Sequence, residues 1–323
     1  MADSAYVEPQ RQTDVKLIRD LDTLPDSLRG GAVAIGNFDG VHLGHVEIVE
    51  KLVAKATQIG GAAVVFTFDP HPAAILRPGR VPPPLTSTTR KAQLLGQLGT
   101  DATIAYPTNE AFLKLAPREF FAEVVLGRLG ARALVEGYNF SFGRNRGGHI
   151  DALADFCHDA GVSLDVVAPV LMDGQAISSS RIRQLLTDGM VEEARRMLTH
   201  PYRIRGIVIH GAGRGRQLGF PTANLDRVDS MLPGVGIYAG LTEADGRTWP
   251  AAISVGPNPT FGEGALKIEV HLVDYHGSLY DRYLEVDFLA WLRDIQRFAT
   301  VDELVRQMDR DIAATRQLVV QAA

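Results

Sequence analysis

The sequence predicts two domains: an α/β domain built on a parallel sheet, followed by a small antiparallel β-barrel with one closing helix. Three observations predict this. The chain has 323 residues, more than the roughly 250–300 at which a single hydrophobic core stops growing. Up to about residue 170, short apolar runs alternate with longer amphipathic ones, which is typical of a parallel sheet covered by helices. Beyond residue 201, strand-like segments follow one another without helices between them, as in antiparallel sheets and barrels.

The N-terminal strands are predicted from apolar runs that are too short for helices and are separated by segments with helical spacing of apolar residues. Ligands of such sheets bind beyond the carboxyl ends of the strands, so the loops that follow the strands are the places to look for a site. The predicted strands are 32–35, 62–68, 102–106, 131–135 and 162–170, and the predicted helices are 46–59, 88–98, 118–129 and 151–160.

The C-terminal elements are predicted from a change of period. A short amphipathic helix covers 190–198, and His200-Pro201 ends it, because the residue before a proline is pushed out of the helical region. We therefore assign residues 1–188 to the first domain and 189–323 to the second. The predicted strands of the second domain are 202–210, 236–244, 248–255, 266–275 and 283–288, and the closing helix is 301–318.

Composition limits the classes of function. The formal net charge of −5 argues against a general nucleic-acid binder, which needs a basic surface to displace counterions. Cys157 is the single cysteine, so it has no internal disulfide partner; we interpret it as a buried small hydrophobe in a reducing compartment. No secretion signal and no apolar run long enough to span a bilayer is visible. We expect a cytoplasmic protein without nucleic-acid or membrane partners, and the sequence leaves its oligomeric state open.

The most informative N-terminal stretch is Gly36-Asn37-Phe38-Asp39-Gly40-Val41-His42-Leu43-Gly44-His45. It follows the first predicted strand and leads into a helix, so glycines and free helix N–H groups could surround a phosphate. His42 and His45 would share one face of the first helical turn and could donate hydrogen bonds to an anion. Two alternatives stay open: the histidines could be zinc ligands, or the turn could merely connect strand to helix.

Three later loops carry polar residues at equivalent places. The stretch 68–72, Phe-Asp-Pro-His-Pro, presents Asp69 and His71 from a loop stiffened by two prolines. The stretch 136–148 combines glycines, arginines and aromatic rings that could stack on a planar ligand and neutralise phosphate. The stretch 177–183, Ile-Ser-Ser-Ser-Arg-Ile-Arg, could cap a helix or hold a triphosphate through hydroxyls and arginines.

These four stretches, in this order, resemble the adenylyltransferase module of the bacterial bifunctional riboflavin kinase/FAD synthetases. The resemblance implies a Rossmann-like sheet of the nucleotidyltransferase superfamily and transfer of AMP from ATP to FMN. It implies that His42 and His45 are catalytic contacts of the ATP phosphates. The implied ATP-binding residues are Gly36, Phe38, Asp39, His42, His45, Ser178, Ser179 and Arg183, and the implied flavin-binding residues are Asn139, Phe140, Phe142 and Arg146.

The C-terminal part opens with a glycine-rich and arginine-bearing loop over residues 211–224. Such a loop can wrap a phosphate with its backbone while its arginines add positive charge. Thr222 and Asn224 are two residues apart, so in extended backbone they face the same side and offer neutral oxygens suited to Mg²⁺. The alternative is an ordinary turn before a strand.

A carboxylate in the following strands could act as a base for a phosphoryl acceptor. Glu269 lies in Lys267-Ile268-Glu269-Val270-His271-Leu272, where alternation places Lys267, Glu269 and His271 on one side. On this pattern alone Glu269 could equally be a solvated residue of the outer face.

The two C-terminal motifs together resemble the riboflavin kinase module of the same family. The resemblance implies that Glu269 is the catalytic base, that Thr222 and Asn224 hold Mg²⁺ with ATP, and that riboflavin is converted to FMN. The implied ATP-binding residues are Gly213, Arg214, Gly215, Gly219, Pro221, Thr222 and Asn224. Two alternatives remain: a nucleotidyltransferase with another phosphate acceptor and an accessory barrel, or a flavin sensor without turnover.

Overall fold

The computed structural model describes residues 16–322 of the chain. These residues form two compact units. The first, the sheet unit, comprises the chain up to Pro83 and Ser87–Ser178; the second, the barrel unit, comprises Pro84–Thr86 and the chain from Ser179 onward. Helix 179–187 therefore belongs to the barrel unit. The expected boundary between 188 and 189 stays a prediction.

The sheet unit is built on six parallel strands in the order β1-β4-β3-β2-β5-β8. All five strands expected from the apolar runs are present, so the predicted parallel sheet is confirmed. The additional strand, β1, has three residues, only partly buried, and such a short edge strand leaves little pattern in a sequence. The strands are β1 (Lys16–Ile18), β2 (Ala32–Ile35), β3 (Ala63–Phe68), β4 (Ala102–Tyr106), β5 (Ala133–Gly137), β6 (Ser141–Phe142), β7 (Gly148–His149), β8 (Ser163–Val167), β9 (Leu171–Met172) and β10 (Gln175–Ala176).

Helices cover both faces of this sheet, and each face has its own apolar core. Successive residues of β2 point to opposite faces, so Val33 and Ile35 enter one core while Ala32 and Ala34 enter the other. Cys157 is buried in the first core, as expected. The helices are α1 (Leu43–Ile59), α2 (Ala73–Leu76), α3 (Thr88–Gln97), α4 (Glu110–Leu113), α5 (Pro117–Phe120), which continues as a π-helical segment over Phe121–Arg128, and α6 (Ile150–Ala160).

The barrel unit is a closed antiparallel barrel in the order β11-β12-β15-β14-β13-β16. The predicted barrel is confirmed, and one strand, β12, was not among the predicted ones. It has four residues and immediately follows the glycine-rich loop, so it lacks a strand-like run of its own. The strands are β11 (Tyr202–Ile209), β12 (Ala223–Asp226), β13 (Gly236–Ala244), β14 (Arg247–Asn258), β15 (Glu263–Leu272) and β16 (Tyr283–Arg293).

Among residues 16–322, four α-helices belong to the barrel unit. The closing helix has 22 residues and extends four residues beyond the predicted end at 318. A short ion pair holds it to the end of β16, because Arg293 donates to both carboxylate oxygens of Asp311. Within residues 16–322 no helix is both long and apolar enough to cross a membrane. The helices are α7 (Ser179–Thr187), α8 (Val191–Met197), α9 (Arg214–Gln217) and α10 (Val301–Ala322).

Candidate active sites

The turn between β2 and α1 lies at the carboxyl end of the central strand β2. The Gly36 N–H donates to the Phe66 carbonyl of β3 at 3.0 Å, so the turn starts from the sheet. Phe38 and Val41 have positive φ angles of 46° and 41°, which cost free energy in residues with a Cβ, most of all in a β-branched one. Such backbone outliers concentrate at functional sites.

His42 and His45 form a stacked pair at the start of α1. His42 is the N-cap residue of the helix, and its ring centroid lies 3.6 Å from that of His45 with the planes 16° apart. Gly44 makes room for this stack: a Cβ at that position would lie 3.2 Å from two atoms of the His42 ring. The structure thus brings the two predicted histidines together on one side of the first turn.

The electrostatics of this turn favour a neutral His45. Burial, then the charge of His42 and then that of Lys91, lowers the pKa of His45 well below its ordinary value. Its Nδ1 atom is buried and receives no hydrogen bond from any residue in 16–322. A buried polar atom without a partner costs about 1–3 kcal/mol, so it calls for an explanation such as a ligand contact.

The turn also contains the predicted ATP residues Phe38 and Asp39. Both are nearly buried, at 3% and 6% exposure. The Phe38 ring folds back over Gly36, where an added Cβ would lie 3.2 Å from it, and packs at 5.1 Å on the His45 ring. Phe38 therefore shapes one wall of the histidine pair.

The loop at 68–72 has a structural role that its sequence left undecided. Asp69 accepts hydrogen bonds from Arg19, after β1, and from the Thr88 hydroxyl at the start of α3, at 2.8 and 2.9 Å. His71 accepts from the Ala73 N–H at 3.0 Å. The loop is thereby fixed to two neighbouring elements.

The four predicted flavin residues lie in or beside the β6–β7 hairpin but differ in exposure. Asn139 and Arg146 are exposed, and Arg146 donates to the Ser141 hydroxyl at 2.7 Å. Phe140 stacks at 5.4 Å on Phe142. Phe142 is only 6% exposed and packs in the core of the sheet unit, so its ring offers little surface to a ligand, and its flavin role stays a prediction.

The predicted serine and arginine residues after β10 fall on both sides of the division between the units. Ser178 ends the sheet unit, whereas Ser179 and Arg183 lie in α7 of the barrel unit. Ser179 is the first residue of that helix. Their roles toward ATP stay predictions.

In the barrel unit, strand pairing brings Glu269 and Asn224 together. Asn224 of β12 lies directly opposite Glu269 of β15, and Glu269 lies opposite Ser254 of β14. Residues opposite one another in antiparallel strands have Cβ atoms about 4.5–5.5 Å apart and point to the same face. The neighbours of Glu269 in β15, Ile268 and Val270, are buried inside the barrel, so Glu269 is on the outer face, as its alternation suggested.

That outer face is one wall of a cleft that is open to solvent. Thr222, Asn224, Ser254 and Glu269 all line it, together with residues 211–216 of the glycine-rich loop. Gly213, Arg214, Gly215 and Pro221 are among the lining residues, so most of the predicted ATP residues of this half meet in one cleft; Gly219 is not among them.

Two glycines let the loop lie close to these residues. A Cβ on Gly211 would lie 2.3 Å from Asn224 Nδ2, and one on Gly215 would lie 2.4 Å from the Phe220 carbonyl oxygen. Both distances are shorter than any real contact of a Cβ, so larger side chains would displace the loop. His271 fixes the other side through a 2.8 Å hydrogen bond to the Pro221 carbonyl.

The remaining wall of the cleft is apolar and comes from the end of β16, the following loop and α10. Ile295, Phe298, Leu304 and Met308 line it, and the Arg293–Asp311 ion pair lies beside them. Thr260 accepts a hydrogen bond from the Phe298 N–H at 3.3 Å, so two loops are joined here. The cleft therefore combines a polar region suited to phosphates with an apolar region suited to a planar ring.

Two family models match the chain, one for each half. The FAD synthetase model matches residues 24–181, and the riboflavin kinase model matches residues 198–319. A bifunctional riboflavin kinase/FMN adenylyltransferase from Pseudomonas fluorescens is 36% identical over 310 residues, which cover 96% of this chain and 99% of the relative. The chain belongs to the bifunctional riboflavin kinase/FMN adenylyltransferase family.

Another curated relative and a solved structure also match nearly the whole length of the chain. The protein of the same name from Bacillus subtilis (strain 168) is 34% identical over 284 residues, covering 86% of this chain and 89% of the relative. A crystal structure described as a macrolide-efflux protein from Streptococcus pneumoniae has a TM-score of 0.84 and 30% identity, covering 94% of this chain and 98% of that one. The family's two modules thus occupy the two halves in the predicted order.

Sequence reasoning missed several residues that the structure places at these sites. Ser254 is one strand away from Glu269, and only the strand register reveals it. Arg293 ends the last strand and Phe298 lies in the loop after it, and neither has a glycine-rich or hydroxyl-rich motif around it. Lys91 lies in α3, which the sequence predicts only as an amphipathic helix. A lysine on the buried, otherwise apolar face of that helix is the sequence feature that could have indicated it.

Proposed function

We propose that the barrel unit phosphorylates riboflavin with MgATP to give FMN, and that the sheet unit transfers AMP from a second ATP to FMN, giving FAD and pyrophosphate. The phosphorylation of riboflavin is supported by the cross-strand pair Asn224–Glu269 in the polar region of the cleft. The transfer of AMP to FMN is supported by the stacked His42–His45 pair beside a glycine-containing turn. The two catalytic centres then consist of different residues.

In the kinase reaction Glu269 is the base. Its carboxylate accepts the proton of the terminal ribityl hydroxyl as that oxygen attacks the γ-phosphorus of ATP, while ADP leaves. We assign the isoalloxazine ring to the apolar region that Phe298 and Met308 line. With the ring near α10 and the attacking hydroxyl at Glu269 of β15, the ribityl chain of riboflavin would extend from α10 toward β15.

Magnesium fits the polar region of the same cleft. Thr222 and Asn224 offer neutral oxygens on one side of an extended segment, and Mg²⁺ is usually held by few protein oxygens together with substrate phosphates and water. When bound there, Mg²⁺ would neutralise developing charge on the phosphates. The glycine-rich loop supports the phosphates with backbone N–H groups, and Arg214 adds positive charge.

In the adenylyl transfer the phosphate of FMN attacks the α-phosphorus of ATP and pyrophosphate leaves. His42 and His45 donate hydrogen bonds to the ATP phosphates, and the backbone from Gly36 to Asp39 surrounds them. By the family resemblance Ser178, Ser179 and Arg183 contribute hydroxyls and a cation, and Asn139, Phe140, Phe142 and Arg146 contact the flavin. No covalent intermediate is required, so the chain acts by positioning and by stabilising charge.

Single substitutions separate the two activities. His45→Ala is expected to abolish FAD formation while leaving FMN formation intact, and Glu269→Ala or Asn224→Ala to do the reverse. Loss of one donor to a transition state lowers the rate by about 10²–10³, or roughly 2.7–4 kcal/mol. The purified protein is incubated with MgATP and either riboflavin or FMN, and the flavins are separated by chromatography.

Each substitution leaves the other reaction as an internal control for folding. If one substitution stopped both reactions in a folded protein, the division of the two reactions between the units would be wrong. If the unaltered protein formed no FMN from riboflavin, the alternative of another phosphate acceptor with an accessory barrel would replace this proposal.

A further inference from the structure

Lys91 is a buried lysine of the sheet unit that the proposed reactions do not use. It lies in the first turn of α3 and is only 7% exposed. Lysines are almost never this buried unless their charge is compensated, because removing an ammonium from water is costly. Its position therefore needs a reason in its surroundings.

The Lys91 ammonium is linked to the turn after β2 through one hydroxyl. Lys91 Nζ lies 3.4 Å from Thr67 Oγ1, and the Thr67 hydroxyl donates to the Asn37 carbonyl at 3.0 Å. A hydroxyl has a single hydrogen, so Thr67 presents only lone pairs to the ammonium. The chain of donors runs from Lys91 through Thr67 to Asn37, next to Gly36 and Phe38.

The charge of Lys91 lowers the pKa of two groups, His45 and Asp69. At His45, burial, His42 and Lys91 together lower the pKa. At Asp69 burial raises the pKa, but hydrogen bonds from Arg19 and Thr88 and the charges of Arg19 and Lys91 lower it overall. The ammonium is thus close enough to both His45 and Asp69 for its charge to act on each of them.

We propose that Lys91 is a positioning residue for the adenylyl transfer. Through Thr67 it holds the backbone of the turn at Asn37, and its ammonium supplies a fixed positive charge that acts on His45, one of the residues assigned to the ATP phosphates. This inference rests on the proposed assignment of the turn to ATP. It adds a residue from a different element, α3, to the site.

The test compares variants that remove either the charge or the hydroxyl. Lys91→Met removes the charge at similar length, Lys91→Arg keeps it, Thr67→Val removes the hydroxyl, and Thr67→Ser keeps it. Lys55→Met is the matched control, because Lys55 is another lysine of the sheet unit with little exposed surface, and it pairs with Asp165 at 2.7 Å. It lies ten residues after His45 in α1, about 15 Å along the helix.

The assay supplies FMN and MgATP, so the kinase reaction is not needed. Lys91→Met is expected to lower kcat for FAD formation about 10- to 100-fold, the usual size for outer partners of site residues, with KM for FMN within about twofold. Thr67→Val is expected to lower kcat less, and the double variant to be no slower than Lys91→Met, because both act through one chain of contacts. Lys91→Arg, Thr67→Ser and Lys55→Met retain most activity, and riboflavin phosphorylation is unchanged in all of them.

A second measurement separates a charge effect from a packing effect. NMR titration of the His45 ring, assigned with His45→Ala, is expected to give a higher pKa in Lys91→Met and an unchanged pKa in Lys91→Arg, Thr67→Val and Lys55→Met. Within residues 16–322, the charged or titratable groups that act on His45 are His42 in the same turn and Lys91 on α3. A purely structural role would not follow the charge in this way.

Three results would overturn the role of Lys91: full kcat in Lys91→Met, multiplying losses in the double variant, or a His45 pKa that does not respond to Lys91→Met. His45→Ala in the same assay shows whether only the role of Lys91 fails or whether the assignment of the turn to ATP fails too. If His45→Ala is inactive while Lys91→Met is fully active, only the Lys91 role fails. If His45→Ala is also active, the assignment of the turn to ATP fails as well.

Discussion

At the scale of single residues, the sheet unit holds a buried carboxyl that no proposed step uses. Glu136 of β5 is 2% exposed and accepts a hydrogen bond from the Ile35 N–H at 2.8 Å. Burial raises the pKa of Glu136 well above its usual range, and the Ile35 N–H opposes this only in part. Burial and the nearby Glu136 carboxyl also raise the pKa of Cys157 to about 11, so its thiol stays protonated and unreactive at neutral pH.

The raised pKa of Glu136 predicts a pH-dependent stability. Above a pH of about 4.5 the unfolded chain releases the Glu136 proton while the folded chain retains it, so stability falls by about 1.4 kcal/mol per pH unit until the folded pKa is reached. Glu136→Gln keeps the acceptor for Ile35 and removes this loss. The variant is therefore expected to gain stability over the wild type as pH rises from 5 to 7.

Heat inactivation of FMN adenylylation at pH 5, 6 and 7 measures the effect. Glu110→Gln is the control, because Glu110 is an exposed carboxylate on the surface of the same unit, paired with Lys114. A constant difference between Glu136→Gln and the wild type across this range would contradict the prediction.

At the scale of elements, the pattern of apolar residues predicted the buried strands. It did not predict which residues of neighbouring strands pair with one another at a site. The runs 32–35 and 236–244 match β2 and β13 residue for residue, because buried strands consist of continuous or alternating apolar residues. Asn224 and Glu269 are 45 positions apart in the sequence, and their contact depends on the register of β12 with β15. Register is set by the whole barrel, so no local motif encodes it.

The predicted site residues divide in the same way. His42 and His45 could be paired from the sequence because one helical turn joins them. Lys91 and Thr67 could not, since they come from α3 and β3 and meet only when the helix packs against the sheet. Local geometry is readable from spacing, whereas contacts between elements require packing.

The Arg293–Asp311 ion pair is predicted to hold the closing helix. Its side chains are 20% and 9% exposed, and breaking a buried pair by removing one partner costs about 3–5 kcal/mol. Asp311→Asn is therefore expected to destabilise the barrel unit by several kcal/mol and to weaken riboflavin phosphorylation, since α10 lines the cleft. FMN adenylylation is expected to be unaffected.

Tryptophan fluorescence isolates this unfolding event, because Trp249 and Trp291, the two tryptophans of the chain, both lie in the barrel unit. The matched control is Arg316→Met, which breaks the exposed pair of α10 with Asp274 and is expected to cost under about 1 kcal/mol. Equal destabilisation by the two variants would show that burial does not distinguish these pairs.

At the scale of the whole molecule, the division into two compact units explains how one chain carries two sets of site residues. The residues proposed for phosphorylation all belong to the barrel unit, and the turn with the stacked histidines belongs to the sheet unit. A helix at the division, α7, is assigned to the barrel unit although the sequence places it before the domain boundary. Its own contacts explain this assignment.

Helix α7 has two fully buried side chains and a backbone contact with the loop before β13 of the barrel unit. Ile182 and Leu186 are fully buried, and the Gly234 N–H donates to the Leu186 carbonyl at 2.8 Å. A Cβ on Gly234 would lie 2.5 Å from the Thr187 carbonyl oxygen, so the loop before β13 lies directly on the end of the helix. Removing α7 exposes the surface that these residues cover.

A fragment that begins at Ser179 is therefore expected to be more stable than one that begins at Gly189. Burying one large aliphatic side chain contributes about 1.5–3 kcal/mol, and the shorter fragment loses two. Both fragments lack Pro84, whose carbonyl accepts from the Met231 N–H, so this loss cancels between them. Thermal unfolding followed by tryptophan fluorescence compares the fragments, with riboflavin phosphorylation as the test of a native cleft. Equal unfolding temperatures would instead support a boundary between 188 and 189, because α7 would then contribute nothing to the barrel unit.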